Sequence, residues 1–224
     1  MFLYETHMHT YPISACASSS PEEMVQNYSS LGYTGAIITD HFFNGNCGIP
    51  SDLKWDDMVK LYAEPYYRAK LEGQKYNFDV FFGMEYGFRG TDFLLYGLTP
   101  EFLMENPGFD KLPLSRLSAM VRAEGGYIAQ AHPFRVAWWI EEANPKPADH
   151  TLLDGIEVHN ASMPDNINKK AMDYAKKHGL AIQAGSDAHN TFIQRPSGIV
   201  LNNRAESIFD IINAIKSGQV ELVK

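Results

Sequence analysis

The 224-residue chain is 45% hydrophobic and 21% charged, with a formal net charge of -8. That size suits one domain, and residues 1–224 carry no repeat, low-complexity tract or linker that would divide them. The composition excludes a bilayer-spanning apolar run and, by its negative charge, sequence-independent binding to a long nucleic acid; a small anionic substrate drawn to a local metal charge stays open.

The first strand is expected at residues 2–6, followed by His7-Met8-His9. With His7 so close to Met1, no signal peptide fits before it. Ser20-Pro21-Glu22-Glu23 reads as a helix start with cap, first-turn proline and capping-box glutamate, and Gly32 as its stop. A buried strand follows at 35–39, then a longer helix over 52–76 with Pro65 inside it. Strands are expected at 79–84 and 92–96, a helix at 114–123, and further strands at 127–131 and 155–158. The helix at 166–177 stops at Gly179, and strands at 180–184 and 198–201 follow. The last helix, 205–216, sets Ile208, Ile211, Ile212 and Ile215 on one face. Alternating strands and helices imply a mostly parallel sheet.

Histidines and carboxylates recur at the C-terminal ends of these strands. They are His7 and His9, Asp40 and His41, Glu85, His132, His159, and Asp187 with His189. Imidazole and carboxylate are the donors that borderline and hard transition metals take. His7 and His9 are two apart on a strand and so share a side, as do Asp187 and His189. Each pair alone reads as readily as core or surface; their shared placement after nearly every one of seven or eight short strands argues for one polynuclear metal site in a closed barrel of the TIM type, an open doubly wound sheet being the alternative. Glu157 shares a face with His159 and is expected to orient it. His150, in a polar loop, and His178, at a helix C-terminus, read as surface residues. Cys16 and Cys47 cannot build a disulfide framework, which points to a reducing cytoplasm.

With these motifs in place, the chain resembles the PHP (polymerase and histidinol phosphatase) family over nearly its whole length. The motifs that carry the resemblance are His7-Met8-His9, Thr39-Asp40-His41, Gly83-Met84-Glu85, Ala131-His132-Pro133-Phe134, Glu157-Val158-His159-Asn160 and Gly185-Ser186-Asp187-Ala188-His189. The resemblance implies a metal-dependent phosphoesterase on a distorted (β/α)7 barrel. It implies that His7, His9, Glu85 and Asp187 hold one ion, and that Glu85 bridges to a second held with His132 and His159. His41 and His189 would hold a third. The family often supplies another Asp or His shortly after the first motif, and Tyr11-Pro12-Ile13-Ser14-Ala15-Cys16 has neither. Cys16 could substitute but reads more readily as a small buried cysteine, so the third ion is expected to be weakly held, absent, or completed by water and substrate phosphate.

The expected function is hydrolysis of a small phosphomonoester, such as histidinol phosphate or a nucleotide, by hydroxide activated on two or three divalent ions (Mn, Zn or Fe). Glu85 and Asp187 are the central catalytic carboxylates, and Asp40 is a candidate proton donor to the leaving alkoxide. Arg135 and Arg195, on loops leaving metal-bearing strands, are candidate phosphate clamps; Arg89 is a weaker one. Tyr11, Trp138 and Trp139 could wall the pocket. Two other readings stand beside this one. An amidohydrolase would also begin with His-x-His but act on a C–N bond, and a non-catalytic PHP domain would be expected to have lost ligands.

Overall fold

The computed structural model of the chain describes residues 1–136, 146–192 and 197–224. Trp138, Trp139 and Arg195 lie outside the described residues. No helix among those described is long and apolar enough to cross a membrane.

The described elements are β1 (Phe2–Met8), α1 (Pro21–Ser30), β2 (Gly35–Ile38), α2 (Trp55–Gln74), β3 (Asp79–Phe88), β4 (Thr91–Tyr96), α3 (Pro100–Glu105), α4 (Leu114–Ala123), β5 (Tyr127–Gln130), β6 (Gly155–Asn160), α5 (Asp165–His178), β7 (Ala181–Gly185), β8 (Gly198–Leu201), α6 (Ile208–Lys216) and β9 (Glu221–Val223). The capping box expected at Ser20 and Glu23 forms, and Gly179 closes α5 at a left-handed φ of 66°.

The strands form one sheet in the order β7-β6-β5-β4-β3-β2-β1-β8-β9. The C-terminal end of β1 meets the chain just past β7, where Met8 bridges Ala188 in parallel and His9 N–H donates to Ala188 O at 2.9 Å. The sheet therefore curls into a nearly closed barrel.

This corrects the expected (β/α)7 barrel in two respects. Among the described residues the sheet has nine strands, and it is mixed. β4 runs antiparallel to both β3 and β5, because Arg89 and Gly90 turn the chain straight back with φ of 51° and 78°. Two left-handed residues in a row make the tight hairpin turn whose twist matches its strands. A two-residue connection has no room for the crossover helix that parallel strands need. β8 pairs antiparallel with the N-terminal half of β1, and β9 with β8.

Below the strand ends, one apolar cluster joins Tyr4, Ile37, Leu94, Tyr96, Tyr127 and Ala129 to Ile211, Ile212 and Ile215 of α6. Burying aliphatic side chains of this size stabilises the fold by roughly 1.5–3 kcal/mol each. A second cluster, around Phe42, Tyr62, Tyr86, Phe93 and Phe109, packs α2 and the segment after α3 against β3 and β4. The polar residues at the strand ends thus stand on a rigid floor, as precise ligand geometry requires.

Candidate metal centre

His7 lies in β1 and His9 just beyond it, both fully buried, while Met8 between them packs into an outer apolar cluster with Met24 and Tyr28. Alternation along the strand thus turns both imidazoles inward. Glu85 comes from β3, His132 from the end of β5, and Asp187 and His189 from the segment after β7. His132 and Asp187 have left-handed φ values of 26° and 54°. Non-glycine residues held there store backbone strain, which proteins concentrate at functional sites.

The donor atoms converge tightly. His7 Nε2 lies 3.1 Å from His9 Nε2 and 3.3 Å from Glu85 Oε1. His9 Nε2 lies 3.2 Å from Asp187 Oδ1, and His132 Nε2 lies 3.2 Å from Glu85 Oε1. His41 Nδ1 approaches Glu85 Oε2 to 2.6 Å, yet neither atom is aligned for a hydrogen bond. Three sets of residues present ligand atoms within 4.8 Å of one another: His7, His9 and Asp187; His7, Glu85 and His132; and His9, His41 and His189.

Hydrogen bonds behind these rings fix their tautomers. His7 Nδ1 faces Glu157 Oε1 at 2.9 Å, and a carboxylate oxygen there can only accept. His9 Nδ1 faces Ser14 Oγ at 2.9 Å, and Ser14 donates its single hydroxyl proton to Asp40 Oδ1 at 2.7 Å. His189 Nδ1 faces the backbone oxygen of Asp187 at 2.9 Å. In all three rings Nδ1 carries the proton, which leaves a bare lone pair at Nε2. Lone pairs of His7 and His9 then meet each other and the carboxylates of Glu85 and Asp187 in a buried space. Acceptors alone cannot satisfy one another, so the arrangement calls for positive charge. The residues present therefore fit divalent cations.

The titration of the side chains shows the same demand for positive charge, which protons meet where no cation is bound. Burial opposes charge on His7, but Glu157, Asp187 and Glu85 raise its pKa well above the ordinary value. Burial likewise opposes charge on His41, but Glu85 and Cys16 lift it to about 11. Burial and the neighbouring His41 push His9 down to about 3. Against burial, His41 and His7 hold Glu85 well below the carboxylate range.

Several residues fall elsewhere than the sequence suggests. Glu157 orients His7 and accepts the His132 backbone N–H at 3.0 Å, whereas His159 Nδ1 lies 3.2 Å from Asn168 Nδ2. His159 is buried but belongs to none of the three sets. Asp40 sits behind the histidines, accepting from Thr10 N–H, Thr10 Oγ1 and Ser14 Oγ. Cys16 is exposed, not buried, and lies beside His41 and His189. Tyr11 is exposed. His150 and His178 pack against each other, with ring centroids 4.2 Å apart and planes tilted by 36°, and neither belongs to the three sets.

A cavity of about 880 Å³ opens beside the cluster, lined by His41, His189, Cys16, Asp92, Arg89 and Arg135 among others. Arg135 Nη1 lies 3.4 Å from His132 Nε2. Asp92 is a site residue that sequence reasoning missed. Its carboxyl lies 4.0 Å from His132 Nε2, and burial and nearby Glu85 raise its pKa to about 6. Its signal lay in strand register: Glu85 pairs with Leu94 and Gly87 with Asp92, so Asp92 shares the inward face of Glu85. Ser14 gave no signal, since it meets His9 only through the folded loop.

Residues 166–192 match a family model described as PHP-associated. No curated protein matches the chain. Among solved structures, a two-domain protein from Bacteroides vulgatus containing a predicted PHP-like metal-dependent phosphoesterase is similar with a TM-score of 0.73 and 14% identity. The match covers 99% of this chain and 64% of that one, so this chain spans less than two thirds of that relative. A protein from Bifidobacterium adolescentis assigned as a metal-dependent phosphoesterase is similar with a TM-score of 0.56 and 16% identity, over 97% of this chain and 96% of that one. An amidohydrolase from Chromobacterium violaceum, with sulfate bound and no metal, gives a TM-score of 0.57 at 12% identity, over 99% and 98% of the two chains. The family model matches residues 166–192, and the solved structures share the fold of this chain.

Proposed function

We propose, on the premise that the chain belongs to the PHP family, that it hydrolyses a small phosphomonoester at this cluster. The observation that carries the reading is the buried convergence of bare imidazole lone pairs with Glu85 and Asp187. Divalent cations held there would supply a hydroxide at neutral pH and polarise the phosphoryl group.

The chain's own residues do the rest. His7, His9 and Asp187 would hold one cation and Glu85 and His132 a second; Glu85 Oε1, 3.3 Å from His7 Nε2 and 3.2 Å from His132 Nε2, would be shared between them, and His7 belongs to both sets of donors. Glu157, and Ser14 through Asp40, fix the faces that His7 and His9 present. Arg135 reaches into the cavity beside His132, where a guanidinium can take two phosphate oxygens at once. Asp92, on the same wall, is better placed than Asp40 to give a proton to the departing oxygen, because the Asp40 oxygens are taken up by Thr10 and Ser14. Arg195 is kept as a second candidate clamp. His159 stands beyond the three sets and would join as an outer ligand of the His132 position.

The likeness to an amidohydrolase favours a second reading, cleavage of a C–N bond by the same cluster. Turnover of a phosphomonoester panel against an amide panel separates the two. The proposal expects release of inorganic phosphate that stops on chelation and returns with metal. Amide turnover without phosphate release would overturn it, and metal loading without any turnover would favour a binding domain.

A further inference from the structure

The barrel closes across a seam that no strand ladder holds. Among the described residues, β1 pairs with β2 on one side and β8 on the other, and it meets the chain past β7 only at the bridge between Met8 and Ala188. Yet ligands from the two sides of this seam converge, with His9 Nε2 3.2 Å from Asp187 Oδ1. Side chains must therefore help to set that spacing.

Glu5 stands two residues before His7 and is fully buried. Strict alternation would turn it to the same side as His7. A bulge intervenes: Glu5 pairs with Ala36 and Met8 with Ile38, so β1 carries one residue more than β2 between these pairs. Glu5 thus faces Tyr28 of α1, on the side where Met8 packs, while His7 faces the cluster. The Glu5 carboxylate then reaches both sides of the seam. Its Oε1 accepts from His7 N–H at 2.8 Å and from Ser186 N–H at 2.9 Å. Its Oε2 accepts from Tyr28 OH at 2.9 Å and from the Ser186 hydroxyl. Ser186 directly precedes Asp187, the ligand held at a left-handed φ of 54°. Removing this carboxylate strips two buried backbone N–H groups of their acceptor, one beside each ligand-bearing segment.

Resting on the metal-centre reading above, we propose that Glu5 is a positioning residue, whose carboxylate ties the β1 bulge to Ser186 and so sets His7 and His9 against Asp187. It differs from Glu157, which acts on the His7 ring: Glu5 acts on the backbone of both segments and touches no ligand side chain. The role needs an acceptor oxygen at a fixed reach and does not need a negative charge. In Glu5→Gln the amide oxygen can take the two N–H groups, while its NH2 faces the Tyr28 and Ser186 hydroxyls, which can accept as well as donate. Glu5→Asp keeps the charge but is one methylene too short to hold all these partners.

The test is cobalt(II) binding to the full chain after metal removal, read by competition against a chromophoric chelator and by cobalt's visible bands. Glu5→Leu and Glu5→Asp should lower cobalt affinity about 10- to 100-fold, as loss of an outer partner does, and should shift the visible bands. Glu5→Gln should keep the affinity and bands close to the parent's even where its melting temperature falls. Glu72→Leu is the control for lost stability alone, since Glu72 is buried between α1 and α2 and accepts from Gln26 at 2.9 Å; it should melt lower with unchanged bands. Parent-like affinity in a folded Glu5→Asp or Glu5→Leu, a loss in Glu5→Gln as large as in Glu5→Asp, or the same band shift in Glu72→Leu would overturn the proposal. If Glu5→Leu does not fold, the contrast between Asp and Gln decides. Failure of the parent to bind cobalt would overturn this role and the metal centre together. The expected order of variants in a protein without phosphatase turnover would uphold the role of Glu5 and remove the phosphoesterase reading.

Discussion

Replacing Glu157 by Gln tests whether the polar groups behind the ligands set their chemistry. The Glu157 side chain is fully buried. Its Oε1 accepts from His7 Nδ1 at 2.9 Å, while its Oε2 accepts from His132 N–H at 3.0 Å and from Asn160 Nδ2 at 2.9 Å. A glutamine of the same shape has only one acceptor oxygen. Placed at the Oε2 position, that oxygen keeps two of the three bonds, and the amide NH2 then faces His7 Nδ1. Two donors cannot face each other, so His7 must move its proton to Nε2, the atom that faces the cluster. Loss of such an orienting partner typically costs 10- to 100-fold in metal affinity, about 1.4–2.7 kcal/mol. Competition against a chromophoric chelator reads this directly, and turnover should recover in part as metal is raised. An affinity within twofold of the parent protein, with unchanged turnover, would refute the tautomer argument.

Glu85→Gln should lower turnover by about 10²–10³-fold or more while circular dichroism and melting stay near the parent, since a near-isostere replaces the shared carboxylate; full activity would remove the binuclear arrangement. Gly185→Ala should weaken both stability and metal loading, because the added Cβ would meet His7 Cβ at 2.6 Å and Glu157 Oε1 at 2.9 Å. Crowding of that kind costs about 1–3 kcal/mol, which thermal melting and metal analysis together would register. Arg135→Lys should raise KM or lower kcat on the true substrate without changing metal content, as one ammonium cannot reproduce a two-pronged guanidinium. Kinetics equal to the parent would make Arg135 a wall residue only.

Much of the barrel is legible from local pattern. Gly stops, the Ser20 capping box and short apolar runs place β1 to β8 and five of the helices. Strand ends carry a simple geometric signal too, since His7 and His9 must share a side whatever the tertiary fold. What local pattern does not give is pairing. The Arg89-Gly90 turn alone decides that β4 runs antiparallel, and a single-residue glycine cue is easily read as a loop. The short α3 and the terminal β9, only three residues long, carry too little periodicity to stand out. Orienting partners are illegible for a related reason: Glu157 bonds His7 across 150 residues, not the His159 that stands two places away. Cys16 fails in the same way, because its exposure depends on how the loop after β1 is tied to Asn46 and His189. Fixed spacing finds ligands on strands, whereas contacts made by loops need the fold.

The central claim is that the acceptor-only cluster is a polynuclear metal centre. Anomalous scattering from crystals grown with the native metal tests it most directly, because it locates each ion and reports its element. Two peaks are expected at the least, with Glu85 touching both, His7, His9 and Asp187 around one, and His132 at the other. A single peak that leaves Glu85 and His132 without an ion, or no peak where His7 Nε2 meets His9 Nε2, would contradict it.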